Sequence, residues 1–346
     1  MDLTVAYIGF GKSVCEYHLP YVETRNWIHV KYIYRREEDR KGDTKREAWY
    51  PGITFTSDLD TVLNDPDVNL IVVNTPDQFH TYYSKAALNH GKNVLCEKPF
   101  AESPEEAQEV FNLAKEKGLL AMPNQNRRFD ADMRTVRKVL ESKVLGDIVE
   151  IESHYDYFRP QREPQIIGFH MLKGLAVHPL DQMVGQFGIP KKVVYDVRSY
   201  SHPGKADSYY DIDLFYDRFK AIVKTSMYVK LNYPRFIVHG TKGSFLMPSL
   251  GHNSDKHYAP GAIHLTKTPY PESRWGTLSY ITGDGQDITK KVPIEPCDYA
   301  MIYDNIRDVL EGRAEKCIKD EEVIAVLQMI RDGDAAAKAV QPLEEK

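Results

Sequence analysis

Leu3-Thr4-Val5-Ala6-Tyr7-Ile8-Gly9-Phe10-Gly11-Lys12-Ser13-Val14 decides the fold of the chain. An apolar run from Leu3 to Ile8 reads as a buried strand, breaks at a glycine turn, and gives way to a helical pattern as far as about Thr24. Strand, glycine turn and helix form the context in which such glycines bind a dinucleotide. Gly9 permits the tight turn. Gly11 lets backbone N–H groups approach a pyrophosphate at the positive end of the helix. The third glycine of the fingerprint is replaced by Val14, so a plain turn is the competing reading.

Moving outward, the next strand, His29 to Tyr34, ends in Arg35-Arg36. An NAD site places an acid about 20 residues past the glycines, whereas arginine suits a 2′-phosphate. No acid appears before Glu37, and two guanidiniums can fork onto a phosphate or stack on adenine. Lys12, in the glycine turn, adds a third charge. The expected cofactor is NADP, with NAD the alternative. A solvated basic turn is the plainer reading, since residues 35–46 carry charges of both signs.

A short strand near Ile53–Phe55, a helix around Asp58–Asn64 and the strand Leu70–Val73 follow. The last ends in Asn74-Thr75-Pro76-Asp77. Asp77 is expected to N-cap a helix to about Asn89, closed by Gly91. His80 falls in its first turn, where a surface or capping role comes first. Asn93-Val94-Leu95-Cys96-Glu97-Lys98-Pro99-Phe100 is another buried strand ending in an acid, a base and a proline that cannot continue a ladder. Lys98 therefore lies just outside a strand's carboxyl end, where open α/β sheets bind ligands. Ser103-Pro104-Glu105-Glu106 is a capping box, and Ala107, Val110, Phe111 and Ala114 share one helical face. One more strand, Leu119 to Met122, completes a β-α-β-β-α-β-α-β-α-β order over about 120 residues, a doubly wound Rossmann domain spanning residues 1–122.

The texture changes in residues 123–346. A helix over about Ala131–Glu141 is followed by alternating segments: Val149–Phe158, Lys192–Ser199, Tyr209–Tyr216, Lys220–Tyr228, Arg235–His239 and Gly243–Met247. They predict an α+β domain with a large, mostly antiparallel open sheet, whose uncovered face is a candidate subunit interface. Helices over about Pro296–Glu311 and Asp320–Val340 close the chain. The connection Pro248–Gly276, with His252, His257 and Trp275, reads as a lid or interface arm.

Composition narrows the function. A net charge of −5 offers nothing to nucleic acid or an acidic membrane. No run approaches the ~18 apolar residues of a membrane span, and the N-terminus lacks a basic signal-peptide region. Cys15, Cys96, Cys297 and Cys317 form no CxxC pair and fit reduced thiols in a cytoplasmic protein. Two clusters remain. Asn126-Arg127-Arg128-Phe129-Asp130 is a helix start capped by Asp130 or a substrate-facing group. In Gly174-Leu175-Ala176-Val177-His178-Pro179-Leu180-Asp181, His178 and Asp181 share a helical face at i, i+3. No cysteine or further acid stands at ligand spacing, so no metal is expected. A histidine near neutrality suits acid/base work on an alcohol. Tyr155, Tyr157 and Arg159 alternate onto one strand face, as cleft residues or ordinary packing.

Taken together, the glycine turn, Thr75-Pro76 with His80, Glu97-Lys98-Pro99, Asn126-Arg127-Arg128-Phe129, His178-x-x-Asp181 and Gly240-Thr241-Lys242-Gly243-Ser244 resemble the Gfo/Idh/MocA (glucose–fructose oxidoreductase and inositol dehydrogenase) family over essentially the whole chain. Within it, the turn and NRRFD are similar to the NADP-dependent scyllo-inositol dehydrogenase subgroup. The resemblance implies hydride transfer at a secondary hydroxyl or ketone of a sugar or polyol, with Lys98 and His178 facing the substrate carbon. It implies cofactor contacts from Gly9, Gly11, Lys12, Ser13, Arg35, Arg36, Thr75, Pro76, His80, Glu97 and Lys98, and substrate contacts from Asp181, Arg128 and Tyr157. A homodimer or homotetramer through the second domain's sheet is also implied. Gly174 and Ala176 stand where many members carry an acid and a glycine. A non-catalytic NADP-binding sensor and a redox-assisted glycosidase on the same fold are the alternatives.

Overall fold

A computed structural model describes residues 1–160, 171–200, 207–250 and 269–339. The chain forms two compact units. The first comprises Met1–Asn126 and Asp298–Ile324; the second comprises residues 127–250, 269–297 and 325–339 of those described.

In the first unit, β1 (Leu3–Ile8), β2 (Ile28–Tyr34), β3 (Thr54–Thr56), β4 (Leu70–Val73), β5 (Asn93–Glu97) and β6 (Ala121–Asn124) make a parallel sheet in the order β3-β2-β1-β4-β5-β6. Parallel strands are covered on both faces, so their sequences run apolar rather than alternating. All four residues of β4 are buried, as is the stretch Val94–Cys96 of β5. The strand order reverses between β1 and β4, which opens a ligand crevice at the carboxyl edge there.

The helix Pro104–Glu116 starts as its sequence requires: Ser103 Oγ accepts from Glu106 N at 3.2 Å. Its buried stripe is Ala107, Val110, Phe111 and Ala114. Asp77 differs from expectation. It is the first residue of a 3₁₀ turn, Asp77–Phe79, and the α-helix proper begins at His80 without a side-chain cap. The helix Met301–Leu310 buries Ile302, Tyr303 and Ile306 in this unit, and Tyr303 Oη lies 2.9 Å from Tyr7 Oη.

In the second unit, eight strands form a mixed, mostly antiparallel sheet in the order β14-β13-β12-β11-β7-β10-β9-β8. They are β7 (Ile148–His154), β8 (Lys192–Arg198), β9 (Tyr209–Phe215), β10 (Lys220–Ser226), β11 (Phe236–Gly240), β12 (Gly243–Met247), β13 (Gly276–Ile281) and β14 (Asp287–Val292). Among the described strands of this sheet, the one parallel pair is β7 with β10. Tyr210, Ile212 and Leu214 of β9 and Ala221 and Val223 of β10 point into a core shared with Met133, Val136, Leu180 and Met183 from the helices Ala131–Glu141 and Val177–Phe187. Two strands, β13 and β14, go beyond the segments foreseen. Most of the expected lid, residues 251–268, lies outside the described residues; its end belongs to a 3₁₀ turn at Glu272–Arg274 and to β13. No described helix is long and apolar enough to cross a membrane.

Candidate functional site

The glycine turn is built against the end of β4. Gly9 has φ +108°, and a Cβ there would lie 2.3 Å from Asn74 O. Gly9 N donates to Tyr34 O at 2.9 Å, and Asn74 N to Ile8 O at 2.8 Å. Gly11 is the opposite case, since a Cβ there would meet nothing within 4 Å. Ser13 Oγ donates to Asn74 Oδ1 at 2.6 Å, while buried Asn74 Nδ2 and Thr75 Oγ1 have no partner among the described residues. An open floor beside Gly11, an obligatory glycine at position 9 and orphaned polar atoms at the next strand end fit a dinucleotide. Lys12 is half exposed and 3.5 Å from Glu16.

The Lys98 edge lies on the same sheet. Glu97 is the last residue of β5, Lys98 follows it, and the Lys98–Pro99 peptide is cis. Glu97 is buried, yet its Oε1 lies 3.0 Å from His18 Nε2 and accepts from Asn124 Nδ2 at 2.9 Å, while its Oε2 accepts from Lys98 N at 3.2 Å. Burial opposes its charge, but the His18 contact, the Lys98 charge and Asn124 hold its pKa below the ordinary glutamate value. His80 is buried beneath this edge, with Nδ1 2.7 Å from Pro99 O and Nε2 2.9 Å from Thr75 O. It thus joins the end of β4 to the segment after β5, a role in the interior where a surface one was the first reading. Pro76, by contrast, is exposed at the head of its turn.

The basic pair splits. Arg35 is buried, with Nη1 donating to Asp43 O and Glu47 Oε1 and Nη2 to Asp39 O and Asp43 Oδ2. Its guanidinium also lies 5.4 Å over the Phe10 ring. The expectation of two phosphate-facing forks is corrected for Arg35: acids eight and twelve residues further on turn it inward. Arg36 is about half exposed and pairs with Asp39 at 2.7 Å.

In the second unit, His178 and Asp181 are both buried on the helix Val177–Phe187. A π-helical turn, Leu172–Ala176, leads straight into that helix and contains Gly174 and Ala176. Such turns are frequent at functional sites. Arg128 grips Asp181 with two charge-assisted bonds, Nε to Oδ2 at 2.7 Å and Nη2 to Oδ1 at 2.6 Å. A Cβ at Gly185, one turn on, would lie 2.5 Å from the Arg128 Cζ. Tyr157 lies past the end of β7, with Tyr155 at 6.2 Å and the Arg159 guanidinium 4.8 Å over its ring. Among the described residues, no three His, Cys, Asp or Glu side chains gather to hold a metal.

The oxidoreductase family GFO_IDH_MocA, with its NAD-binding Rossmann fold, matches residues 3–125, and the GFO/IDH/MocA C-terminal domain matches residues 133–246. This chain is a Gfo/Idh/MocA-family oxidoreductase. As a family member it is 43% identical over 343 residues to YhhX of Escherichia coli K12, an uncharacterized oxidoreductase, covering 96% of both chains. It is 27% identical over 350 residues to the scyllo-inositol 2-dehydrogenase (NADP(+)) IolW of Bacillus subtilis, covering 97% of this chain and 94% of that one. A crystal structure of an oxidoreductase from Bacillus cereus superposes with TM-score 0.88 at 36% identity, covering 100% of this chain and 99% of that one. Two polar residues of the Lys98 edge, His18 and Asn124, carried no motif in the sequence; Asn124 pairs with Glu97 only through the β5–β6 register.

Proposed function

We propose that this oxidoreductase interconverts a secondary hydroxyl and a ketone on a sugar or polyol, with NADP as its preferred cofactor. One observation carries the reading: Lys98 stands at the carboxyl edge of β5, two strands from the glycine turn after β1, or roughly 10 Å at ordinary strand spacing. The glycine turn at Gly9 and Gly11 would hold a nicotinamide dinucleotide, which would supply hydride chemistry. His178 takes the hydroxyl proton at its imidazole as general base, and returns it when the ketone is reduced. The Lys98 ammonium stabilises the developing alkoxide and holds the substrate oxygen in line. Asp181, on the His178 helix, and Arg128, which reaches it from the turn Asn126–Phe129, give substrate hydroxyls an acceptor and a donor. The printed activity of the relative IolW, on scyllo-inositol, supports a cyclic polyol or sugar as the substrate class.

We also propose that copies pair through the outer face of the eight-stranded sheet. The register lines up Val194, Asp213, Ile222, Glu152, Ile237 and Leu246 across it, and Val194 and Leu246 are exposed. Light scattering on a sizing column tests this; a monomer at micromolar concentration counts against it.

The function itself is tested by NADPH consumption with a panel of ketoses and polyol ketones. Turnover is expected with at least one, and Lys98→Ala should lower kcat by about 10²–10³. A Lys98→Ala enzyme that keeps most of its kcat would rule out the role given to Lys98.

A further inference from the structure

We propose that His18 is a positioning residue for Lys98, acting through Glu97, and that Tyr303 holds the far side of its ring. The inference rests on the role proposed above for Lys98. Four side chains from four places in the first unit form one buried chain. Tyr7 Oη lies 2.9 Å from Tyr303 Oη, Tyr303 Oη 2.6 Å from His18 Nδ1, and His18 Nε2 3.0 Å from Glu97 Oε1. Tyr7, Tyr303 and His18 are at most 1% exposed. Water has no access to supply a missing partner, so the donors and acceptors must close among themselves.

They close in one direction. Glu97 stays ionised and can only accept. His18 Nε2 must then carry a hydrogen and give it to Oε1. Asn124 Nδ2, 3.1 Å from Nε2, donates to the same carboxylate oxygen. His18 Nδ1 is left to accept from the Tyr303 hydroxyl, and Tyr303 in turn accepts from Tyr7. Burial pushes both phenols up, which keeps both hydroxyls protonated as this order requires. With an imidazolium the order would reverse, and the Tyr7 hydrogen would be turned away from Tyr303.

What the chain delivers is a placed, charged carboxylate next to Lys98. Glu97 Oε2 holds the Lys98 backbone N–H, and Oε1 holds His18 and Asn124, so the carboxylate cannot turn. His18 ends a π-helical turn, Val14–His18, in the helix that opens at the glycine turn. That extra residue in the turn is how a helix aligned for a dinucleotide also reaches the β5 edge. Packing alone would not ask for a buried histidine capped on both nitrogens.

The test compares pH profiles of NADPH-dependent ketone reduction for the wild type, His18→Leu, His18→Gln, Tyr303→Phe and Lys98→Ala. Ketone reduction needs protonated His178, so the wild-type profile stays flat on its acid side. In His18→Leu the carboxyl has lost its donor and its pKa should rise, giving an acid limb in kcat with little change in the KM for NADPH. His18→Gln, whose amide can donate to Oε1, should restore the flat profile. If His18→Leu does not fold, Tyr303→Phe replaces it: the ring stays but the hydroxyl that donates to Nδ1 is gone, so the ring is held less firmly against Oε1 and a weaker acid limb is expected. Equal loss of kcat at every pH in these variants, with no acid limb, would make His18 a packing residue and overturn the inference. Unchanged kcat in Lys98→Ala would instead sink the role of Lys98, and this inference with it.

Discussion

Arg128 and Asp181 form a bidentate ion pair inside the second unit, both side chains almost wholly withdrawn from water. Two charges in that setting stabilise little as a pair, but either one left alone is costly. Arg128→Leu should therefore destabilise the protein by about 3–5 kcal/mol, and the double variant Arg128→Leu/Asp181→Leu should recover most of that. Gly185→Ala tests the same pair by shape, since its methyl would meet the guanidinium at 2.5 Å. Chemical denaturation of these proteins and of Asp181→Leu decides the matter; additive losses in the double variant would show that the pair is not coupled.

The two glycines of the turn should fail in different ways. Gly9→Ala combines a positive φ with a methyl 2.3 Å from a backbone oxygen, so stability itself should fall by several kcal/mol. Gly11→Ala meets nothing and should keep the wild-type melting temperature. Its methyl would nevertheless stand where the pyrophosphate must approach the backbone, so NADPH affinity should drop at least about tenfold. Thermal melts with and without NADPH read both outcomes. Tight NADPH binding by Gly11→Ala would mean that the dinucleotide lies elsewhere.

Much of this was legible in the sequence, and what was not has physical reasons. Parallel strands announce themselves as apolar runs and end where the pattern breaks, so the Gly9 turn and the place of Lys98 just past β5 could be read locally. The HxxD pair was equally plain, because i, i+3 spacing fixes one helical face. Arg35 misled because spacing places a residue but does not say which way it turns; Asp43 and Glu47 decide that from further along the chain. Tyr303 was out of reach for another reason. It meets Tyr7 and His18 from 296 and 285 residues away, and no local pattern announces that return. The strand β14 was missed because Asp-Ile-Thr-Lys-Lys-Val is largely exposed and lacks the alternation that marks a half-buried strand.

His80 predicts a pH dependence. Carbonyl oxygens only accept, and both ring nitrogens face one, so the ring is an imidazolium. Burial lowers its pKa, but the Cys96 sulfur and the carbonyls of Pro99 and Thr75 outweigh it and push the pKa up to about 10. The stability this cation contributes is complete below the ordinary histidine pKa of ~6.5 and is lost as pH rises through the folded value. Over that window the free energy of unfolding should decline by up to about 1.4 kcal/mol per pH unit. Urea midpoints across the window should show the decline in the wild type and a much flatter line in His80→Gln. A flat wild-type line would show that the ring is neutral.

Cofactor preference separates Arg35 from Arg36. Arg35 has its four hydrogen bonds turned inward, so Arg35→Ala removes a buried tie between Asp39, Asp43 and Glu47 and should weaken the fold rather than select a cofactor. Arg36 reaches solvent beside the end of β2, held by Asp39 and Glu38 in exposed pairs that salt screens and a phosphate can displace. A charge-assisted bond to a 2′-phosphate contributes about 1.5–3 kcal/mol. Arg36→Ala should accordingly weaken NADPH binding by roughly 10- to 100-fold while leaving NADH affinity unchanged. Fluorescence titration with both dinucleotides measures the two affinities side by side. If both fall together, Arg36 touches a part the cofactors share. If neither falls, the phosphate is met by another cation of this segment, and Arg40 or Arg46, both partly exposed, becomes the residue to replace.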